Sequence, residues 1–171
     1  MLNLNIFLNK LIEVYTFEDK TKFDIGFLLD YDKRWLLLHT YDPYIIEDGI
    51  MLVNIDTIWK INFETEYLKA FLNFSAEYNE KINLTTDFIN DFINMVINKK
   101  IVYISLNNGD LLLGKIIENS DNLVIKNYSN SGELDSYSAI DKNSISAIQY
   151  NCRECKNIEN NFNKNLKRRS L

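Results

Sequence analysis

The chain states one pattern twice, and that duplication limits the folds open to it more than any other feature does. Asn9-Lys10-Leu11-Ile12-Glu13-Val14-Tyr15-Thr16 returns as Asn98-Lys99-Lys100-Ile101-Val102-Tyr103-Ile104-Ser105. A glycine inside an apolar run follows each copy, Gly26 in the first and Gly114 in the second. Each copy closes on an apolar triplet: Val53, Ile58 and Ile61 in one, Ile140, Ile145 and Ile148 in the other. The offset steps through 89, 88 and 87 residues along these anchors, so two single-residue slips align the copies. Self-similarity of this kind implies one structural unit built twice.

Each copy reads as a helix followed by five short strands. In the second, Phe88, Ile89, Phe92, Ile93 and Val96 recur at helical spacing over 87–98, with Thr85 or Thr86 as N-cap. Strands are expected over 101–106, 111–118, 122–128, 134–140 and 144–150. Asn107-Asn108-Gly109-Asp110 reads as a hairpin with a type I′ turn. The first copy repeats this order with a degraded helix over 4–9 and a first hairpin at Glu18-Asp19-Lys20-Thr21. Its strands are expected over 11–17, 22–30, 35–41, 50–55 and 57–63, with Phe23, Ile25, Phe27 and Leu29 on one inward face. Between the copies, residues 64–78 read as a further helix and 79–85 as a loop. The expected class is mainly β with helices (α+β). Residues 1–63 form a first barrel with a short N-terminal helix, 64–85 a helical connector, 86–150 a second barrel with a leading helix, and 151–171 a basic tail. Phe71, Leu72, Phe88, Phe92 and Val96 are expected to be buried, since a barrel of about 55 residues alone has a marginal core.

Hydrophobic residues make up 46% and charged residues 25%, the balance of a globular chain. No apolar run reaches the roughly 20 residues a membrane span needs. The segment Met1 to Leu8 lacks a basic n-region and a cleavage site and is read as part of the fold. With two cysteines and abundant Asn, Ile and Lys, the expectation is a cytoplasmic protein of an AT-rich bacterial genome. The net charge of −5 is uneven: residues 1–63 carry 10 acids and 6 bases, residues 153–171 carry 2 acids and 6 bases. An acidic body is a poor surface for nucleic acid, which must meet phosphate charge.

Helix, five bent strands and a glycine in strand two resemble the Sm-like fold, the small SH3-like barrel of the LSm and Hfq proteins. Leu106 to Ile116 resembles the first Sm motif, which Asp121-Asn122-Leu123-Val124-Ile125 continues. Ile140 to Ile148 resembles the second. The resemblance covers most of residues 4–63 and 86–150, and implies two five-stranded barrels joined by helices. In the family an Arg-Gly pair of the second motif lines the RNA site. Here those positions hold Asp141-Lys142 in one copy and Asn54-Ile55 in the other. The Hfq-type Lys-His pair is absent, because the single histidine, His39, lies on the third strand of copy one.

No Walker loop, GxGxxG, HExxH or GxSxG occurs, and the reading is non-catalytic with no cofactor. His39 lacks a partner at a recognisable spacing and is read as structural; Asp30, Asp32, Glu47 and Asp48 sit at turns and are read as solvated. Cys152-Arg153-Glu154-Cys155 has CxxC spacing and is a candidate metal pair, but it lacks a second pair of ligands. The aromatics Tyr15, Phe17, Phe23, Phe27, Tyr31, Trp35, Tyr41 and Tyr44 crowd copy one. Tyr41 and Tyr44, with Asp42, Glu47 and Asp48 around Pro43, form a candidate protein-binding face. Lys164, Lys167, Arg168 and Arg169 form a candidate contact for RNA or an acidic partner, on a tail expected to be frayed. The functional expectation is a binding or adaptor protein with a protein partner, one version being an inhibitor or immunity-type protein that masks a basic partner. The alternative is an RNA-binding Sm-like protein acting in RNA metabolism. An enzyme ranks third.

Overall fold

The computed structural model describes residues 3–17, 20–71, 82 and 84–169, with side chains described as far as residue 162. Two compact units divide the chain, residues 1–89 and 90–171. The first contains β1 (Leu11–Thr16), β2 (Asp24–Tyr31), β3 (Trp35–Tyr41), β4 (Glu47–Asn54), β5 (Ile58–Phe63) and a short helix α1 (Glu66–Lys69). Its antiparallel sheet runs β5-β1-β2-β3-β4. Helix α2 (Phe88–Val96) leads into β6 (Val102–Leu106), β7 (Leu111–Asn119), β8 (Asn122–Tyr128), β9 (Leu134–Asp141) and β10 (Ile145–Tyr150). That antiparallel sheet runs β10-β6-β7-β8-β9, and helix α3 (Arg153–Arg169) follows it. The fold is therefore β-rich with short helices. In neither order are the fourth and fifth strands of the repeat neighbours.

The duplication recurs in the details of both units. Each repeat enters its first strand through an asparagine in the left-handed region, Asn9 and Asn98, both at φ 57°. Asparagine bears that conformation better than most residues. Each second strand carries a register shift at the same place, between Leu28 and Asp30 and between Ile116 and Glu118. Each fourth strand ends in a three-residue 3-10 turn whose cap accepts a backbone N–H: Asn54 from Asp56 at 3.0 Å, Asp141 from Asn143 at 2.9 Å. Each fifth strand is followed by a second left-handed residue, Glu64 and Asn151. A Cβ on Gly26 would lie 2.7 Å from the His39 carbonyl oxygen, and one on Gly114 only 2.3 Å from that of Lys126. Only glycine lets those neighbouring strands approach so closely.

The core lies along the middle strands. All seven residues of β3 are buried, which requires cover on both of its faces. Leu28, and not Leu29, is the fully buried residue of β2. Phe23, Ile25 and Phe27 share the side covered by α1, whose Leu68 packs with Phe71 and Ile25. The register shift after Leu28 interrupts the alternation expected through Leu29. In the second unit Phe92, Ile93 and Val96 of α2 are buried, and the Phe92 ring lies 5.5 Å from that of Tyr150. Phe71 and Phe88 are buried as expected. Leu72 and most of the stretch read as helix and loop over 64–85 lie outside the described residues, as do Glu18 and Asp19.

Three local expectations need correction. Residues 4–7 form a 3-10 turn, not an α-helix; Asn3 makes no side-chain cap, and Leu4 and Phe7 are still buried. In the β6–β7 hairpin only Gly109 has positive φ (86°), so the turn is not type I′. The Gly109 N–H reaches the Leu106 carbonyl at 2.9 Å and the Leu106 N–H reaches Asp110, a three-residue loop with glycine in its left-handed position. The segment read as a frayed basic tail is the 17-residue helix α3. Cys152, Cys155 and Ile158 recur every three residues and pack with Ile101, the residue before β6.

Candidate functional site

The β3–β4 turn of the first unit holds the aromatic and acidic residues expected to form a face, and its geometry sorts them. The Asp42 N–H donates to the Ile46 carbonyl at 2.9 Å, and the Ile45 N–H to the Asp42 carbonyl at 3.0 Å. One oxygen of the Asp42 carboxylate accepts the N–H groups of Tyr44 at 2.8 Å and Ile46 at 2.9 Å. Asp42 is thus the brace of the turn, as aspartate commonly is. Ile45 sits at φ 68°, a region that costs a β-branched residue roughly 1–2 kcal/mol. Its half-buried side chain packs on the Ile25, Leu68 and Phe71 cluster, which offsets that strain. The braced turn presents Tyr44, 80% exposed, and Ile46, 63% exposed.

Beneath this tip lies a line of polar contacts. The Tyr41 hydroxyl is 3.1 Å from His39 Nδ1, and His39 Nε2 is 3.5 Å from a carboxylate oxygen of Glu47. His39 thus lies between the buried Tyr41 hydroxyl and the exposed Glu47 carboxylate. Burial, with a lesser push from Glu47, raises the Tyr41 phenol to about 12, so it stays protonated and serves as a hydrogen-bonding post. Tyr41 is buried, Glu47 is exposed on one side of His39, and Asp48 is half-buried on β4, where its carbonyl accepts the Thr40 hydroxyl at 2.9 Å. Of the expected face, then, Tyr44 and Glu47 are presented to solvent, and Tyr41 and Asp42 are built into the support. Sequence reasoning missed Ile45 and Ile46. Aligning the repeats would have found Ile45, because Gly132 (φ 79°) stands at the matching turn position of the second copy.

The remaining candidates lie elsewhere. Cys152 and Cys155 are both buried with Sγ atoms 2.9 Å apart. The hydrogen bond from Cys152 and burial push the Cys155 thiol well above its ordinary range, the opposite of a reactive thiolate. Among the described residues no group of three His, Cys, Asp or Glu side chains is placed to hold a metal. The backbone of α3 runs through Lys164, Lys167, Arg168 and Arg169, and their side chains lie outside the described residues. At the positions matched to the Arg-Gly pair, Asn54 and Asp141 are spent capping 3-10 turns. Lys142 donates to the amide oxygens of Asn90 at 3.1 Å and Asn119 at 3.0 Å. Asp32 braces a turn through Arg34 N and Trp35 N, both at 2.7 Å.

A buried carboxylate that sequence reasoning left unremarked sits in the same unit. Glu13 accepts from Thr65 Oγ1 at 2.5 Å, Tyr15 Oη at 2.9 Å and Asn62 Nδ2 at 3.0 Å. Burial alone would raise its pKa, but the three hydrogen bonds and Lys60 together hold it below the ordinary value. Glu13 thereby joins β1 to β5 and to Thr65, the N-cap of α1.

No relative decides among these features. No family model matches the chain, and it shows no significant similarity to a curated protein or a solved structure.

Proposed function

We propose that this chain is a non-catalytic binding protein built from two Sm-like repeats, and that its first repeat docks a protein partner through the β3–β4 turn. The observation that carries the reading is Tyr44: a large aromatic ring, 80% exposed, on a turn held by Asp42 and by a strained Ile45. Rigid exposed tyrosines supply contact area at little entropic cost, and strain at a surface turn argues for a role there. The neighbouring acids and the net charge of −5 favour a basic partner, consistent with an inhibitor or immunity-type role at a protein target. Among the described residues, no helix is long and apolar enough to cross a membrane.

The alternative, an RNA-binding role, draws on Lys142 beside the second-motif loop. Against it, Asp141 sets a carboxylate where an RNA site would want a cation, and Asn54 supplies no charge at the matching place. The test isolates complexes of the tagged full chain and treats them with nuclease or with a mild protease. The protein reading expects nuclease-resistant complexes, with no excess absorbance near 260 nm, that are lost in Tyr44→Ala. Nuclease-sensitive complexes that tolerate Tyr44→Ala overturn it in favour of RNA.

A further inference from the structure

In the second unit α3 closes over one side of the sheet and leaves a cavity of about 220 Å³ lined by Lys99, Lys115, Tyr128, Ile158, Glu159 and Phe162. The helix is anchored there. Asn161 Nδ2 donates to the Asn130 carbonyl at 2.9 Å, and the Phe162 ring meets Tyr128 edge-on at 6.1 Å. At Gly132 the helix backbone comes so close that a Cβ would lie 2.9 Å from Phe162 N. The cavity is therefore held between fixed elements.

Its charge is what asks for a ligand. Lys115 on β7 is register-paired with Lys126 on β8, and Lys126 also lies 5.8 Å from the Tyr128 ring. Directly opposed like charges destabilise a sheet. At the matching position of the first repeat the pair is Phe27 and His39, so the framework does not demand two lysines. Lys99 adds a third ammonium, and among the described residues no carboxylate pairs with any of the three. Glu159, the one acid of the lining, accepts the Ile101 N–H at 3.5 Å. Such a cluster is a local electrostatic cost that an anion would remove.

We infer that this cavity binds a small planar anion: an aromatic ring laid against the Tyr128–Phe162 pair, with a phosphate or carboxylate held by Lys115 and Lys99. The volume admits a group the size of a mononucleotide base or a benzoate. This site lies in the second repeat and does not depend on the turn proposed above.

The test is calorimetry on the full chain with four probes: adenosine monophosphate, salicylate, inorganic phosphate and a short oligouridylate. Expected is saturable binding of adenosine monophosphate or salicylate below about 5 mM, at least about tenfold tighter than inorganic phosphate. Lys115→Gln should weaken it by about tenfold or more and, by relieving the Lys126 repulsion, leave the melting temperature equal or higher. Lys99→Gln is the second variant, expected to weaken binding likewise, and Lys33→Gln in the first repeat should leave the affinity unchanged. Neither ring anion saturating, unchanged affinity in both lysine variants, or oligouridylate binding without the mononucleotide would overturn the proposal.

Discussion

Ile45 holds in the first repeat the turn position that Gly132 holds in the second, at φ 68° against 79°. The surrounding hydrogen bonds are alike: Ile45 N–H to Asp42 O at 3.0 Å, and Gly132 N–H to Ser129 O at 2.8 Å. One copy keeps the residue that suits the backbone. The other carries a β-branched side chain there and presents an aromatic ring beside it.

That contrast separates stability from binding. Ile45→Gly removes roughly 1–2 kcal/mol of left-handed strain but loses half-buried apolar packing and adds chain entropy of similar size. Its denaturation midpoint should stay within about 1 kcal/mol of the parent, while partner affinity falls with the loosened turn. Tyr44→Ala should leave stability within about 0.5 kcal/mol and abolish partner capture. Urea titrations alongside a binding assay check both.

The strand-two glycines are expected to differ in degree. Gly114→Ala drives a Cβ to 2.3 Å from the Lys126 carbonyl, and Gly26→Ala to 2.7 Å from that of His39. Each should destabilise by about 1–3 kcal/mol, the larger loss at Gly114, as read from chemical denaturation.

Phe92 is fully buried, and Phe92→Ala should cost about 3–5 kcal/mol through lost burial and the cavity left behind. A loss under 1 kcal/mol would show that α2 does not pack as described. Truncation at residue 155 bears on the tail: removing Ile158 uncovers Ile101 and the buried cysteines. The shortened chain should melt earlier, so it is a poor test of any RNA contact made by the basic C-terminus.

Glu13 sets an acid dependence. Its folded pKa lies below the unfolded value, so its contribution to stability is fully present above the unfolded pKa. That contribution is lost as pH falls through the folded pKa. Between pH 7 and pH 3 the urea midpoint should fall more steeply for the parent than for Glu13→Gln, which binds no proton there. Equal slopes would remove Glu13 from the account.

Much of the sheet was legible because alternation and turn residues agreed. Residues 35–41 and 122–128 read as strands with the bounds the structure shows. Helix α3 was hidden by its composition: Asn157, Asn160, Asn161, Asn163 and Asn165 favour turns as much as helix, and only Cys152, Cys155 and Ile158 mark a buried stripe. The lysine pair of the second unit could not be seen without the β7–β8 register, since Lys115 and Lys126 are unremarkable in sequence. At the β3–β4 turn the residue types were legible and their roles were not. An acid that braces a backbone and an acid that faces solvent look the same until the hydrogen bonds are known.

The most direct test places a photo-crosslinking amino acid at position 44 of the full chain, and separately at position 131, its counterpart in the second repeat. A discrete protein adduct is expected from position 44 only, competed by excess unlabelled parent but not by unlabelled Ile46→Asp. Equal adducts from both positions, or a nuclease-sensitive adduct at 44, would contradict it.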